Sequence, residues 1–399
     1  MTKPLNVAMV VRAFATDGGL ELYAHHVIAG LLDAGHNVTV FCQSRRTDLQ
    51  HPLLRVAEIP LRSDKLPKRK RLQHDYEQAN RVLAGVTGFD IIHSQHYPCS
   101  FADVVTFHNH TVRRWSQVGL PWERVVNDAK CALVPAYHMR DQQDEELCRK
   151  ARCLIFPSQA MQQDYYHTYA FLKAEDKPYV VAYPGASVPS GAAEAREGTH
   201  PSAPTFTFLF VGRGFRRKGL DMVLAAAARL KSAGKDFRLL VAGMKAKPLD
   251  HLRLQTLGLS DRVEYLGFRR DMPAVYAMAD AAVLPSRVEP FGMAPLQAMH
   301  FGLVPIVSRV SGVSEVLSHE HDCLILDNHL DAGELYAHMA RLMEQPQLRR
   351  DLQQNAIVTA QRVSWSQTVE RTLEAYEKIL GRTESEHSSA VVGRESASG

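Results

Sequence analysis

No apolar run in the 399-residue chain approaches the ~20 residues that a bilayer-spanning helix requires. The opening stretch, MTKPLNVAMVVRAF, has one early lysine and a short apolar run that leads into a glycine turn. It therefore reads as a first buried strand and not as a secretion signal. Cysteine is sparse, and Cys42, Cys99, Cys131, Cys148, Cys153 and Cys323 show no metal-type C-x-x-C spacing. They read as reduced, mostly core residues of a cytoplasmic protein. The net charge of +4 is too small to imply nucleic-acid binding. Neither the P-loop pattern G-x-x-x-x-G-K-[ST] nor the dinucleotide fingerprint G-x-G-x-x-G occurs, which argues against a nicotinamide dehydrogenase. His108 and His110 alternate along one predicted strand, but no carboxylate-rich motif completes a metal site beside them. The HEHD run, His319–Asp322, reads as a solvated turn.

What is present points to two domains. Hydrophobic residues make up 45% and charged residues 23%, ordinary for a globular protein. Single cores rarely grow past ~250–300 residues, so this length divides. Val7–Val11 reads as a strand, followed by a loop with Gly18 and Gly19, a helix over Leu20–Ala34 and a strand over Val38–Cys42. That is a βαβ unit. Further strands are expected at Ile91–His93, Val104–His108 and Leu154–Pro157, with helix filling Glu123–Arg152. Pro, Gly, Ser and Ala then dominate as far as Pro204, the composition of a linker.

The βαβ pattern restarts with a strand at Phe206–Val211, a basic loop from Gly212 to Gly219 and a helix over Leu220–Lys231. Short apolar runs at Phe237–Ala242, Val263–Leu266, Ala281–Leu284 and Val304–Val307 imply a parallel sheet covered on both faces. The expected class is α/β, with two Rossmann-like, doubly wound domains facing across a cleft. Their extents are residues 1–185 and 205–362, joined by a linker at 186–204. A final helix at 363–382 and a disordered tail at 383–399 complete the chain.

Two loops carry candidate chemistry. GRGFRRKG, from Gly212, places Arg213, Arg216, Arg217 and Lys218 between a strand and a helix. That suits a diphosphate, although a basic surface loop is the plainer reading. VEPFGMAPLQAMHFG, from Val288, sets Glu289 beside a loop that opens a helix. Unpaired N–H donors next to a carboxylate suit a sugar attached to a phosphate; an ordinary loop-to-helix junction is the alternative. His108 closes a predicted strand, where a structural role and a cleft-facing one are both open. Arg62, Lys65, Lys68, Arg69, Lys70 and Arg71 form a basic cluster: either a solvated loop or a contact for anionic lipid headgroups or a phosphorylated acceptor.

Together these pieces resemble the family-four retaining glycosyltransferases of the GT-B fold, and among them the bacterial lipopolysaccharide-core α-glucosyltransferases. The resemblance rests on the Gly18-Gly19 loop, FLFVGRGFRRKGLD from Phe208, GFRRDMPAVYAMAD from Gly267 and EPFGMAPLQAM from Glu289. The helix containing Trp365 looks like the family's terminal helix, which packs back across the hinge. The resemblance implies that Glu289 contacts donor-sugar hydroxyls, while Phe291, Gly292 and Met293 present backbone N–H groups. Lys218 with Arg213 or Arg217 would neutralise the phosphates, His108 would sit beside the sugar, and Arg269 would lie near the base. It also implies retaining, metal-independent, cofactor-free transfer of a hexose, glucose in the relatives it most resembles, from a UDP-type donor to a lipopolysaccharide-core or similar glycolipid hydroxyl. The protein would be cytoplasmic, with a peripheral membrane contact through Arg62–Arg71. One position departs from the pattern: Gln297 stands where the second acid of an E-x7-E pair should bind the ribose. That substitution keeps open a catalytically silent nucleotide-sugar-binding or scaffolding protein. A nucleotide-sugar epimerase of the same fold is the other alternative.

Overall fold

A computed structural model describes residues 3–59, 68–186 and 205–381. The expected linker and tail, Arg62 and Lys65 of the basic cluster, and the side chains of Lys68–Arg71 lie outside the described residues. The first sheet comprises β1 (Asn6–Val10), β3 (Asn37–Cys42), β5 (Leu54–Glu58), β6 (Ile91–Gln95), β7 (Val104–Thr106), β8 (Cys153–Phe156) and β9 (Tyr179–Val181). All seven run parallel, in the order β5-β3-β1-β6-β7-β8-β9. A small ribbon pairs β2 (Ala13–Ala15) with β4 (Ser44–Arg46) beside it. The second sheet is also parallel, in the order β12-β11-β10-β13-β14-β15. Its strands are β10 (Phe206–Val211), β11 (Phe237–Ala242), β12 (Val263–Gly267), β13 (Ala281–Leu284), β14 (Val304–Ser308) and β15 (Leu324–Leu326).

Strands covered on both faces must be apolar throughout, and β1 shows this: Val7, Ala8, Met9 and Val10 are all inaccessible to solvent. The strand order reverses between β1 and β6 in the first sheet and between β10 and β13 in the second. Such switch points open crevices at the carboxyl ends of the strands. The loops holding Gly18, His108, Lys218 and Glu289 all leave from those ends.

The last helix, Trp365–Leu380, belongs to the first domain's core although it follows the second domain in sequence. Its start is fixed by a capping box, in which Ser364 Oγ accepts from the Gln367 N–H at 3.4 Å. Thr368, Arg371 and Lys378 donate to the carbonyls of Tyr183, Val181 and Tyr179. The Tyr376 hydroxyl meets His93 Nδ1 at 2.8 Å beneath it. Close approach to the Gly19–Asp33 helix depends on Gly30, where an added Cβ would stand 2.4 Å from Val369 Cγ2.

Polar contacts span the cleft, among them two charged ones. Glu315 accepts the Gln159 and Ala160 N–H groups at 2.7 Å each, so a carboxylate of the second domain caps a helix of the first. Glu123 of the first domain meets Arg216 of the second at 3.0 Å. One sequence expectation needs correcting. The His319–Asp322 turn is not wholly solvated: Asp322 is buried and accepts from Ser318 N–H and Thr359 Oγ1 at 2.8 Å each. The strand expected to reach His108 stops at Thr106, because the chain turns away there into a loop.

Two predictions follow from the final helix. Gly30→Ala gains up to ~1 kcal/mol of helix propensity but overpacks Val369 at a cost of about 1–3 kcal/mol, so the net sign is destabilising. Urea unfolding should show a loss that Val369→Ala largely rescues. The second concerns acid. Burial holds His93 down to about 3, and burial aided by the charge of His25 holds His26 down to about 4. Both folded values lie below the unfolded 6.5, so neither group affects stability above that pH. As pH falls from 6.5, the unfolded chain binds protons that the folded chain refuses. Stability then drops by up to ~1.4 kcal/mol per pH unit from the fully buried His93, and by less from the part-exposed His26. Thermal melts between pH 7.5 and 5 should show this loss, with a shallower slope in His93→Gln.

Candidate active site

Glycine permits the two facing loops of the second domain. Gly219 sits at φ 78°, and a Cβ there would come within 2.1 Å of the Pro285 carbonyl oxygen, so the Gly212–Gly219 loop can lie against the strand end of β13. Gly292 adopts φ 100° with Glu289 Cγ and Ser311 Oγ each 3.2 Å from where its Cβ would stand. The result is direct contact between loops that are 71 residues apart: the Lys218 ammonium pairs with the Glu289 carboxylate. Both side chains are largely enclosed, at 13% and 8% exposure.

Burial alone would push the Glu289 carboxyl up. The charges of Lys218 and Arg217, with hydrogen bonds from Lys218 and Ser286, outweigh it and hold the group below its ordinary value. Carbonyls of the adjoining loop are taken: Ser158 Oγ donates to Pro290 O at 2.6 Å, and Val313 N–H and Ser311 Oγ donate to Phe291 O. The N–H groups of Phe291, Gly292 and Met293 donate to no backbone carbonyl among the described residues. The helix they open, Met293–Met299, is only seven residues long, so its dipole contributes less than the sequence pattern implied.

The expected cations separate in space. Arg217 leans on the Val288 carbonyl, beside Glu289. Arg213 instead lies 5.2 Å over the Phe268 ring, on the turn after β12. Arg269 on that turn is half-buried and pairs with Asp271. Gln297 accepts a hydrogen bond from the buried Tyr276 hydroxyl at 3.2 Å.

Across the cleft, Gly19 and Tyr23 occupy successive turns of one helix. A Cβ on Gly19 would be 3.4 Å from Met293 Cε, and the Tyr23 ring meets His108 edge-on at 4.9 Å. His108 and Met293 therefore approach the same helix, at positions one turn apart along it. Its Nε2 is 2.8 Å from Gln95 Oε1, which in this amide orientation makes Nε2 the donor and leaves Nδ1 as an acceptor. Burial, with the charges of His96 and His93 adding, drives its pKa well below 6.5 and keeps it neutral. An open hollow of about 650 Å³ adjoins the Gly18 loop, where Arg45, Arg46, Thr47, His25, Asp48 and Glu58 mix donors and acceptors.

Sequence reading missed Arg287. Its side chain is completely buried, forks onto Asp221 at 2.8 and 2.7 Å and approaches Glu123 at 3.6 Å. A charged residue inside the apolar approach to Glu289 was the only available signal. Among the described residues, no three His, Cys, Asp or Glu side chains converge as a metal-binding group.

Comparison with known proteins places the chain in a family. Residues 17–187 match the Glycosyltransferase Family 4 model, and residues 193–359 match Glycosyl transferases group 1. D-inositol 3-phosphate glycosyltransferase of Paenarthrobacter aurescens is 25% identical over 91% of this chain and 93% of its own length. MMP alpha-(1->4)-mannosyltransferase of Mycolicibacterium hassiacum is 25% identical over 92% and 96%. The inositol 3-phosphate enzyme of Pseudarthrobacter chlorophenolicus reaches 31% identity but aligns over about half of each chain, 51% and 50%.

Among solved structures, WaaG, a glycosyltransferase involved in lipopolysaccharide biosynthesis, superposes with a TM-score of 0.73 at 19% identity, over 94% of this chain and 100% of its own. Sucrose-phosphate synthase from Thermosynechococcus elongatus gives 0.72 at 20%, over 95% and 100%. These two likenesses show the fold, and the sequence relatives above are an MMP mannosyltransferase and inositol 3-phosphate glycosyltransferases, not lipopolysaccharide-core enzymes specifically. With a family 4 first half, a group 1 second half and two facing parallel-sheet domains, the chain is a glycosyltransferase of the GT-B type.

Proposed function

We propose that the protein transfers a hexose, glucose in the first instance, from a UDP-linked donor to a hydroxyl of a lipopolysaccharide-core or similar glycolipid, with retention at the anomeric carbon. The observation that carries this reading is the Lys218–Glu289 contact at the switch point of the second sheet. It offers a cation to a diphosphate and a carboxylate to sugar hydroxyls at one place. Anabaena HepE, a structural neighbour with a TM-score of 0.61, has been solved with UDP-glucose, which supports the donor class. WaaG supports the acceptor class. The relatives' names favour a second reading, in which the acceptor is a phosphorylated cyclitol or sugar.

In the proposed reaction the bond between the sugar's anomeric carbon and the diphosphate oxygen breaks, and charge builds on the diphosphate. Lys218 and Arg217 face that charge together with the N–H groups of Phe291, Gly292 and Met293. The acceptor hydroxyl attacks from the leaving-group face and passes its proton to a diphosphate oxygen. Glu289, held ionised, orients the sugar. His108, neutral, offers Nδ1 to a hydroxyl rather than a charge to the phosphates. Arg269 stays near the base.

The deciding experiment incubates the protein with UDP-glucose and truncated core acceptors, and assigns the product's anomeric configuration by NMR. An α-linked product is expected; a new nucleotide sugar formed without acceptor would indicate an epimerase. Nucleotide binding with no transfer to any acceptor would indicate a silent binding protein.

Lys218→Ala should reduce kcat by about 10²–10³-fold, the usual effect of removing one such donor. Glu289→Ala should abolish measurable transfer, because it also strands Lys218. Circular dichroism should show both variants folded, and wild-type-like turnover in either would refute the assignment. Gln297→Glu should tighten UDP binding about five-fold by calorimetry. A carboxylate keeps the Tyr276 hydrogen bond and offers a charge-assisted one, roughly 1 kcal/mol stronger, to the ribose. Unchanged affinity would show that this position does not touch the ribose.

A further inference from the structure

Directly after β6 the backbone takes a conformation that a residue with a side chain seldom adopts: His96 sits at φ 51°. Such residues persist only where their surroundings over-determine them, and they gather at functional sites. The ring of His96 supplies the determining contacts. Nε2 lies 2.9 Å from Asp144 Oδ1, on the helix Pro135–Lys150, and Nδ1 accepts the His108 N–H at 3.1 Å. Both side chains of the pair are enclosed, at 6% and 3% exposure. Accepting at Nδ1 needs a lone pair there, so the ring proton is on Nε2 and points to the carboxylate.

The left-handed step has a geometric use. Successive strand residues point to opposite faces, yet Gln95 and His96, neighbours in sequence, hold the same residue. Gln95 Oε1 meets the His108 ring at 2.8 Å, while His96 takes its backbone. The following residues of the loop are pinned in the same manner. The Tyr165 hydroxyl donates to Asn109 O at 3.0 Å. His110 Nδ1 lies 2.9 Å from Asp164 Oδ2, on the helix Gln159–Thr168, and that oxygen also accepts the Thr111 N–H at 2.9 Å. His110, half of a conceivable metal pair in the sequence, is therefore an anchor of the loop. Buried polar pairs add little stability over apolar packing, but they fix direction.

We propose that Asp144 and His96 form a positioning dyad for the transfer reaction: the carboxylate sets which ring nitrogen of His96 is bare, and that nitrogen fixes the backbone of His108 so that its own free Nδ1 meets the donor sugar. The proposal rests on the reading of His108 as facing that sugar. Both dyad residues are enclosed, so they act through His108 and not on the substrate.

The test compares full-length variants in transfer from UDP-glucose. His96→Gly removes the ring and eases the backbone, whereas His96→Asn restores an acceptor where Nδ1 stood and tolerates positive φ. His96→Gly should lower kcat about ten- to a hundred-fold, as a small misplacement of a reacting group does. Its thermal shift with UDP, which lacks the sugar, should keep the wild-type value. His96→Asn should recover most of the lost rate. Asp144→Ala should lose several-fold, because the ring is then free to turn. Equal rates in the two His96 variants, or wild-type kcat in Asp144→Ala, would overturn the dyad. So would loss of UDP binding in parallel with kcat, the mark of a merely structural role. Hydrogen exchange reads the contact without any substrate: the His108 amide should exchange faster in His96→Gly and near the wild-type rate in His96→Asn. An unchanged amide in the glycine variant would sink the proposal. Expected exchange beside a wild type that transfers nothing from UDP-glucose would sink only the donor assignment and leave the dyad standing.

Discussion

Lys218 and Glu289 are each enclosed to a degree that a lone charge would not tolerate, and each is the other's partner. Removing one partner of a buried pair leaves an uncompensated charge, which is costlier than never having had the pair. The rest of the site is arranged around this constraint. Gly219 and Gly292 take left-handed backbone so that the two loops can touch. Ser286 and Arg217 hold the carboxylate from its other sides. The pair also defines what can replace it. A ligand that carries phosphate for Lys218 and hydroxyls for Glu289 satisfies both groups at once, whereas a ligand with one of the two leaves the other stranded. On the proposed function, selectivity for a sugar attached to a diphosphate would follow from that double requirement.

Behind the pair lies a second charged layer. Arg287 is completely buried and has its fork filled by Asp221, while Glu123 reaches in from the other domain. Its Nε lacks a hydrogen-bond partner, so Glu123 acts on it through charge at 3.6 Å. Asp221 sits in the first turn of the helix that follows the Lys218 loop, so this layer fixes the direction in which that loop leaves the sheet. Because Glu123 also binds Arg216 and the Leu120 N–H, one carboxylate sets the end of its own helix and the position of the opposite loop.

Much of this was legible in the sequence, for physical reasons. Strands buried on both faces must be continuous apolar runs, so Phe206–Val211, Phe237–Ala242 and Ala281–Leu284 were read with their observed bounds. The final helix, Trp365–Leu380, was equally plain from its period. The ribbon of Ala13–Ala15 with Ser44–Arg46 was not, since three residues carry no period and SRR looks like surface. At the site, residue types were legible but pairings were not. Nothing in GRGFRRKG distinguishes Lys218, which meets Glu289, from Arg213, which meets Phe268. That choice is made by the turn of a glycine loop in three dimensions. Arg287 and Asp322 were missed for one shared reason: a charged letter in a sequence implies solvent, and only the fold supplies the partner that lets it be buried.

The contacts that tie the second domain's end of the chain to the first domain are of two kinds, and the difference bears on how a ligand would enter. Near the hinge the contact is apolar: Val369, Ala375, Tyr376 and Ile379 of the last helix are part of the first domain's core. Around the cleft it is polar: Ser158 with Pro290, Glu315 with a helix start, and Glu123 with Arg216. A hydrogen bond across the cleft that opens is replaced by one to water, at a net cost of about 1 kcal/mol. Apolar packing that opens has no such replacement. Separation at the cleft mouth is therefore cheaper than separation at the hinge, and the same chain can admit a ligand at one edge while staying closed at the other.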